Sequence, residues 1–145
     1  MNSIAAIKSR LTLLSFFQFF VWGAWLTTIG TYCTEGKNWT FPQFGAIFST
    51  LALSSILMPS IIGIIADKWM RAERLYGLLH LIYAAFMLLI PNIGLLYQYF
   101  PGLKAMEEYE LLYWLVFGGM LAYMPSISLS NSVSYRILKM NGLNV

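Results

Sequence analysis

The sequence predicts an all-α membrane protein with four transmembrane helices, and three observations carry that prediction. The first is where charge is missing. The nine basic and six acidic residues fall in five short stretches, 8–10, 35–37, 67–74, 104–110 and 136–139. Between them lie four uncharged runs, 11–34, 38–66, 75–103 and 111–135, of 24, 29, 29 and 25 residues. A helix needs about 20 mostly apolar residues to cross the hydrocarbon core. A charge at the centre of such a helix costs about 2.5–3.5 kcal/mol on insertion scales. The second observation is composition: 59% hydrophobic and 10% charged, where soluble domains carry roughly 25% charge. The third is the distribution of the bases. With the N-terminus placed in the cytoplasm, Lys8, Arg10, Lys68, Arg71, Arg74, Arg136 and Lys139 lie inside, and only Lys37 and Lys104 lie outside. The bias of Lys and Arg toward cytoplasmic loops therefore puts both ends inside. It also removes any need to read the net charge of +3 as a nucleic-acid footprint.

Span 1 is expected over about 11–32. Lys8 and Arg10 before an apolar stretch resemble the start of a signal peptide. The apolar length exceeds a typical h-region of about 7–15 residues, however, and no small-x-small cleavage site follows. Cys33 is the single cysteine, so no internal disulfide can form. Asn38-Trp39-Thr40 fits a glycosylation sequon in the predicted outer loop, and chance is the better reading without a secretory context. Span 2 is expected over about 42–66, with Pro42 in its first turn and Pro59 inside it. Proline is tolerated there when neighbours satisfy the freed carbonyl. After the tight inner loop 67–74, span 3 runs over about 75–97 and weakens near Pro91-Asn92. Pro101-Gly102 and Glu107-Glu108 form the outer turn. Span 4, about 111–135, contains Pro125 and is anchored inside by Arg136 and Lys139. No soluble domain and no low-complexity tract is expected.

Polar residues within the spans are patterned. Ser15, Gln18, Trp22 and Trp25 recur at i, i+3, i+7 and i+10, on one face of span 1. Trp22 and Trp25 sit mid-span, away from the interfacial belt where tryptophan collects. Such a stripe suits a polar cavity that holds a planar ligand by stacking; it equally suits helix–helix packing with Gln18 as interhelical glue. The inner half of span 4 carries Ser126, Ser128, Ser130, Asn131, Ser132 and Ser134, too polar for full lipid exposure. Packing explains the serines, and a cavity role is open for Asn131, which shares a face with Ser128 and Tyr135. Close packing is also expected at Gly45, Ser49 and Ala52 and at Gly118-Gly119.

His80 is the single ionisable side chain in the four runs outside Cys33 and the tyrosines. It invites a functional reading, but lies close to the inner interface, where a hydrogen-bonded structural histidine is the simpler account. No Asp or Glu occurs in the runs, so any coupling carboxylate lies elsewhere. Nor is there a nucleophile–base pair, a metal-ligand cluster or a phosphate-cradling loop. The chain therefore reads as neither an enzyme nor a cofactor protein.

The inner loop, Gly63-Ile64-Ile65-Ala66-Asp67-Lys68-Trp69-Met70-Arg71, resembles the loop signature of the major facilitator superfamily, G-x-x-x-D-[RK]-x-G-[RK]-[RK]. It departs at Met70, where the family favours glycine, and at Ala72, where it favours a base that Arg74 can replace. An acid at a helix end beside clustered bases can make the inter-helix contacts that hold an inner gate closed. That assigns Asp67, Lys68, Arg71 and Arg74 to a gate; the plainer alternative is ordinary inner-loop basicity. Three further stretches narrow the match: Phe19-Phe20-Val21-Trp22-Gly23-Ala24-Trp25-Leu26-Thr27-Thr28, Ala66-Asp67-Lys68-Trp69, and Ala122-Tyr123-Met124-Pro125 followed by Asn131 and Ser134-Tyr135. Together they resemble the nucleoside:proton symporter family over about 11–138.

The resemblance implies the first third of a twelve-helix major facilitator bundle, one three-helix repeat plus the first helix of the next. The expected function is nucleoside transport by proton symport with alternating access in a bacterial inner membrane, the chain being an N-terminal portion. Gln18, Trp22 and Trp25, with Tyr123 and Asn131, would wall the substrate cavity. The implied partners are nucleoside, protons, the bilayer and the remaining transporter helices, with no nucleic acid. Two other readings compete. A four-span exporter working as an antiparallel dimer needs balanced bases and a membrane carboxylate, and the runs offer neither. A non-transporting membrane scaffold or a truncated inactive product is the remaining alternative.

Overall fold

The computed structural model describes residues 4–142; the outermost parts of the two predicted cytoplasmic ends, 1–3 and 143–145, lie outside the described residues. Helix α1 (Ile4–Thr31) continues into a π-helical turn, Tyr32–Gly36. Helices α2 (Phe41–Lys68) and α3 (Ala72–Leu89) follow. A 3-10 turn, Ile90–Asn92, links α3 to α4 (Ile93–Tyr99), and after a second, Pro101–Ala105, α5 (Glu108–Met140) completes the set. The result is four rods of 33, 28, 28 and 33 residues, long and apolar enough to cross a membrane. At 1.5 Å per residue they measure about 40–50 Å, so their ends pass beyond the hydrocarbon core. Backbone hydrogen bonding does not stop where apolarity stops, which is why the first and fourth rods pass both ends of their uncharged runs and the other two pass one end.

Local chemistry explains the breaks. Asn38 bends the chain in the left-handed region at φ 55°, which asparagine tolerates better than most residues. Thr40 then opens α2: its backbone N–H and hydroxyl both donate to Gln43 Oε1, at 2.9 and 3.0 Å, and Pro42 sits in the first turn, where no N–H is needed. The chain leaves regular α-helix at Ile90–Asn92, where Pro91 lacks an N–H. The Asn92 side chain donates to Leu88 O at 2.7 Å, satisfying one freed carbonyl. Glu107 caps α5, its N–H donating to Glu110 Oε2 at 3.2 Å. Pro59 and Pro125 both lie inside unbroken helices.

The fourth span is the centre of the bundle. Its most apolar window is 56% buried, against 11% for the first span, and α5 packs mainly on α2 and α3 while touching α1 more sparsely. Leu112, Val116, Met120 and Tyr123 of α5 meet Ile47 of α2 and Leu75, Leu79 and Tyr83 of α3 in one buried cluster. Gly118 and Gly119 face Phe86, Met87 and Tyr83 of α3. Gly45 departs from expectation: a Cβ there would meet nothing within 4 Å, because the α2 surface turned to α5 is the one carrying Ile47, Thr50 and Ser54. On α1, Leu13, Phe16, Phe17, Phe19 and Phe20 stay exposed, as lipid-facing or still-uncovered residues of a bundle do.

Lys37 Nζ donates to Glu108 Oε1 at 2.5 Å, tying the loop between α1 and α2 to the start of α5. Trp39 stacks edgewise against Tyr32 and Tyr109, with centroids 6.3 and 5.8 Å apart. The hydrogen bond from Glu108 lifts the Lys37 ammonium above its ordinary pKa of 10.5, while burial pulls the other way. A raised folded-state pKa gives stability that is whole below the unfolded value and lost as pH rises through the folded one. Lys37→Met should therefore lower stability by roughly 0.5–1 kcal/mol. In thermal unfolding, that deficit should hold steady from neutral pH up to about 10 and shrink above the ordinary lysine value. A deficit that persists at higher pH would assign the effect to packing instead of charge.

Candidate functional site

The geometry brings polar side chains together in two places: mid-membrane where α1, α3 and α5 meet, and at the inner loop. On α1 the fully buried positions are Ile7, Gln18 and Ile29, spaced by eleven residues, or three helical turns, so they form one narrow stripe. Gln18 is 1% exposed and occupies the centre of a hydrogen-bonded network. Tyr76 OH of α3 donates to its Oε1 at 2.8 Å. Its Nε2 donates to Ser126 Oγ of α5 at 3.0 Å, and Ser126 Oγ donates onward to Tyr123 O at 2.6 Å. Tyr123 OH returns to α1, donating to the Gln18 backbone oxygen at 2.5 Å. Three helices are thus pinned through one amide, whose side chain keeps one N–H and one lone pair in reserve.

Trp22 packs beside this network, its ring 6.4 Å from that of Tyr123 and tilted by 37°. Its indole N–H is buried without an acceptor among the described residues. Trp25 lies against Tyr83, with the indole N–H and the phenol O–H short of hydrogen-bond geometry. Trp25 and Tyr83 line a hollow of about 400 Å³ between α1 and α3, walled otherwise by Phe20, Val21, Met87 and Pro91; Trp22 does not line it. Among the predicted cavity residues, Gln18, Trp22 and Tyr123 are therefore drawn into one cluster, and Trp25 extends it outward. Asn131 is not part of it. It lies about 80° around α5 from Tyr123, exposed with Ser128 and Tyr135, while Ser126 and Ser130 turn inward.

Tyr76 and Tyr83 were missed by the sequence reading; Ser126 was read there as a packing residue, and its buried bonds with Gln18 Nε2 and Tyr123 O fit that role. A signal for the tyrosines exists: Tyr76, His80 and Tyr83 recur at i, i+4 and i+7 on one face of α3. His80 rests in this row, its Nδ1 3.1 Å from Tyr76 O and its ring 4.3 Å from that of Tyr76. A backbone carbonyl can only accept, so this contact is a hydrogen bond when Nδ1 carries a proton; Nε2 is buried without a partner among the described residues.

At the inner loop, Asp67, Lys68, Arg71 and Arg74 are all exposed. Asp67, Lys68 and Arg71 line a hollow of about 600 Å³ between the end of α2, the loop and the inner end of α5, together with Arg136. The acid that pairs there is Glu73, which the sequence reading passed over. Its carboxylate lies 3.5 Å from Arg71 Nε and 3.7 Å from Arg136 Nη1, bridging the loop to α5. Its position in the first turn of α3, where helix-end N–H groups favour an anion, was the available signal. Asp67, Lys68 and Arg74 make no ion pair among the described residues.

The profile of the family described as "Nucleoside H+ symporter" matches residues 5–143. Xanthosine permease of Escherichia coli K12 is 37% identical over 139 residues, covering 96% of this chain and 30% of the permease. Nucleoside permease NupG of the same organism is 31% identical with the same coverage. A crystal structure of nucleoside transporter NupG, carrying a point mutation, superimposes with a TM-score of 0.82 over 95% of this chain and 31% of that one. The chain spans about 30% of the length of the curated relatives it matches.

Proposed function

Since the chain belongs to the nucleoside H+ symporter family, we propose that it is the N-terminal portion of a transporter that carries nucleosides with protons across a bacterial inner membrane. The observation that carries this reading is the family match over nearly every residue, joined to a shared fold with a transporter of that class. The chemistry is non-covalent. Binding near the bilayer midplane between two helical bundles, with each side opened in turn, needs walls that recognise the cargo and bonds that break when the bundle rocks.

A nucleobase offers a flat ring and a hydrogen-bonding edge. Trp22 and Trp25 supply planar indoles with unused N–H donors, and exposed Asn131 supplies an amide. Gln18 and Tyr123, whose ring packs beside that of Trp22, complete the proposed wall through the reserve capacity of the amide. Asp67, Lys68, Arg71 and Arg74 form the proposed inner gate: three of the four carry no ion pair among the described residues, and so are available to the rest of the transporter. Both ends face the cytoplasm on this reading, following the excess of bases at 8–10, 68–74 and 136–139.

The test is uptake of labelled uridine by cells that express the coding region containing this chain and lack other nucleoside carriers. Uptake should collapse when a protonophore abolishes the proton gradient; uptake that survives it removes the coupling. Stacking a base on an aromatic side chain is worth about 1–3 kcal/mol. Trp22→Ala should therefore raise the half-saturating uridine concentration by about fivefold or more, and an unchanged value takes Trp22 out of the wall.

A further inference from the structure

The inner-loop hollow, which shares Asp67, Lys68 and Arg71 with the proposed gate, gathers more cations than its one lining acid can pair. Three cations from separate elements converge on it, Lys68 from the end of α2, Arg71 from the loop and Arg136 from α5, against one lining acid, Asp67. Ser132 adds a hydroxyl. Glu73 approaches only Nε of Arg71 and Nη1 of Arg136, and a guanidinium has five N–H donors, so most donors of both arginines stay free. Lys68 has no ion pair among the described residues. Beside these groups, Trp69 is 84% exposed and Met70 36% exposed. An exposed indole next to clustered bases at a span end is the pairing that sits at a lipid interface, ring at headgroup level and cations toward phosphate.

We propose that the hollow formed by Lys68, Arg71 and Arg136 binds the phosphate of an anionic phospholipid from the leaflet that the loop faces. The phosphate sits among the three cations, Ser132 donates to it, and Trp69 lies along the glycerol region. The guanidiniums, held about a carboxylate apart by Glu73, present planar donor edges to phosphate oxygens. A zwitterionic lipid brings the same phosphate with a covalently tethered cation, which these bases repel, so the site selects anionic headgroups.

The transporter that contains this chain, purified in neutral detergent, is mixed with phosphatidylglycerol or phosphatidylcholine, and bound lipid is counted by native mass spectrometry. One phosphatidylglycerol should be retained under conditions that strip phosphatidylcholine. Removing two cations together, Lys68→Gln with Arg136→Gln, should weaken retention by about 30-fold, given what each base near a membrane surface contributes. Lys8→Gln with Arg10→Gln removes as much charge from the same side and should leave retention unchanged. Lys68→Gln alone, at an exposed and unpaired position, should weaken it by about fivefold, which keeps the test valid if the double variant misfolds. Equal retention of the two lipids overturns the proposal. So does an equal loss from the Lys8 and Arg10 pair, which would mean a general attraction of a basic face. Displacement by excess inorganic phosphate would mean a free-anion site and also overturns it.

Discussion

Gly118→Ala is expected to destabilise the bundle by about 1–3 kcal/mol, the usual range for overpacking a close contact, and Gly118→Val by more. A Cβ built on Gly118 would lie 2.5 Å from both Cε1 and Cζ of Phe86, against a normal carbon contact of about 3.5–4.0 Å. Those atoms belong to a rigid ring anchored on α3. Relief requires either rotating the whole ring or separating α3 from α5, the helix on which both α2 and α3 pack. The neighbouring Gly119 makes an internal control. Its added Cβ would meet Met87 Cε at 3.0 Å, the free end of a flexible thioether that can swing aside, so Gly119→Ala should cost less than about 1 kcal/mol. Unfolding in mixed detergent measures both. The contact assignment also fixes the sign of a double-mutant cycle: Phe86→Ala should be less harmful in the Gly118→Ala background than alone. Equal losses at the two glycines, or strict additivity with Phe86→Ala, would place the strain elsewhere.

That contact marks the border of what the sequence makes legible. Gaps in charge delimit four rods because the cost of burying a charge in hydrocarbon is large and independent of neighbours. The loss of regular helix at Pro91-Asn92 is legible because a missing N–H acts on its own turn. Gly118-Gly119 could be seen as a close approach, but so could Gly45, and only the former meets another helix. Which face of each rod meets which partner depends on azimuth and on residues tens of positions away. Gln18 illustrates this: its stripe was readable at helical period, while its partners Tyr76 and Ser126 lie 58 and 108 residues downstream. Glu73 was hidden for a different reason, since counting bases to orient the loop gave its one paired acid no weight. The exposure of the aromatic residues of α1 arises from how much of a bundle surrounds them, a property that no local pattern encodes.

Gln18→Leu is expected to lower stability by about 1–4 kcal/mol while keeping the volume of the site nearly filled. Two side-chain hydrogen bonds are lost, each worth about 0.6 kcal/mol on average inside membranes. Leaving a buried group unsatisfied adds up to about 3 kcal/mol. Tyr76 OH would lose its acceptor and Ser126 Oγ its donor, whereas Tyr123 OH would keep its bond, which goes to the backbone oxygen of residue 18. Gln18→Leu should accordingly couple with Tyr76→Phe in a double-mutant cycle and add independently to Tyr123→Phe. This pattern also separates two roles for the amide. Gln18→Leu and Tyr76→Phe break the same bond, so if Gln18 only pins α1 to α3, both should alter uridine uptake to the same degree per unit of lost stability. If the remaining amide N–H and lone pair also read a nucleobase edge, Gln18→Leu should weaken uridine half-saturation well beyond Tyr76→Phe. Equal effects would leave Trp22, Trp25 and Asn131 as the wall and make Gln18 the residue that positions it.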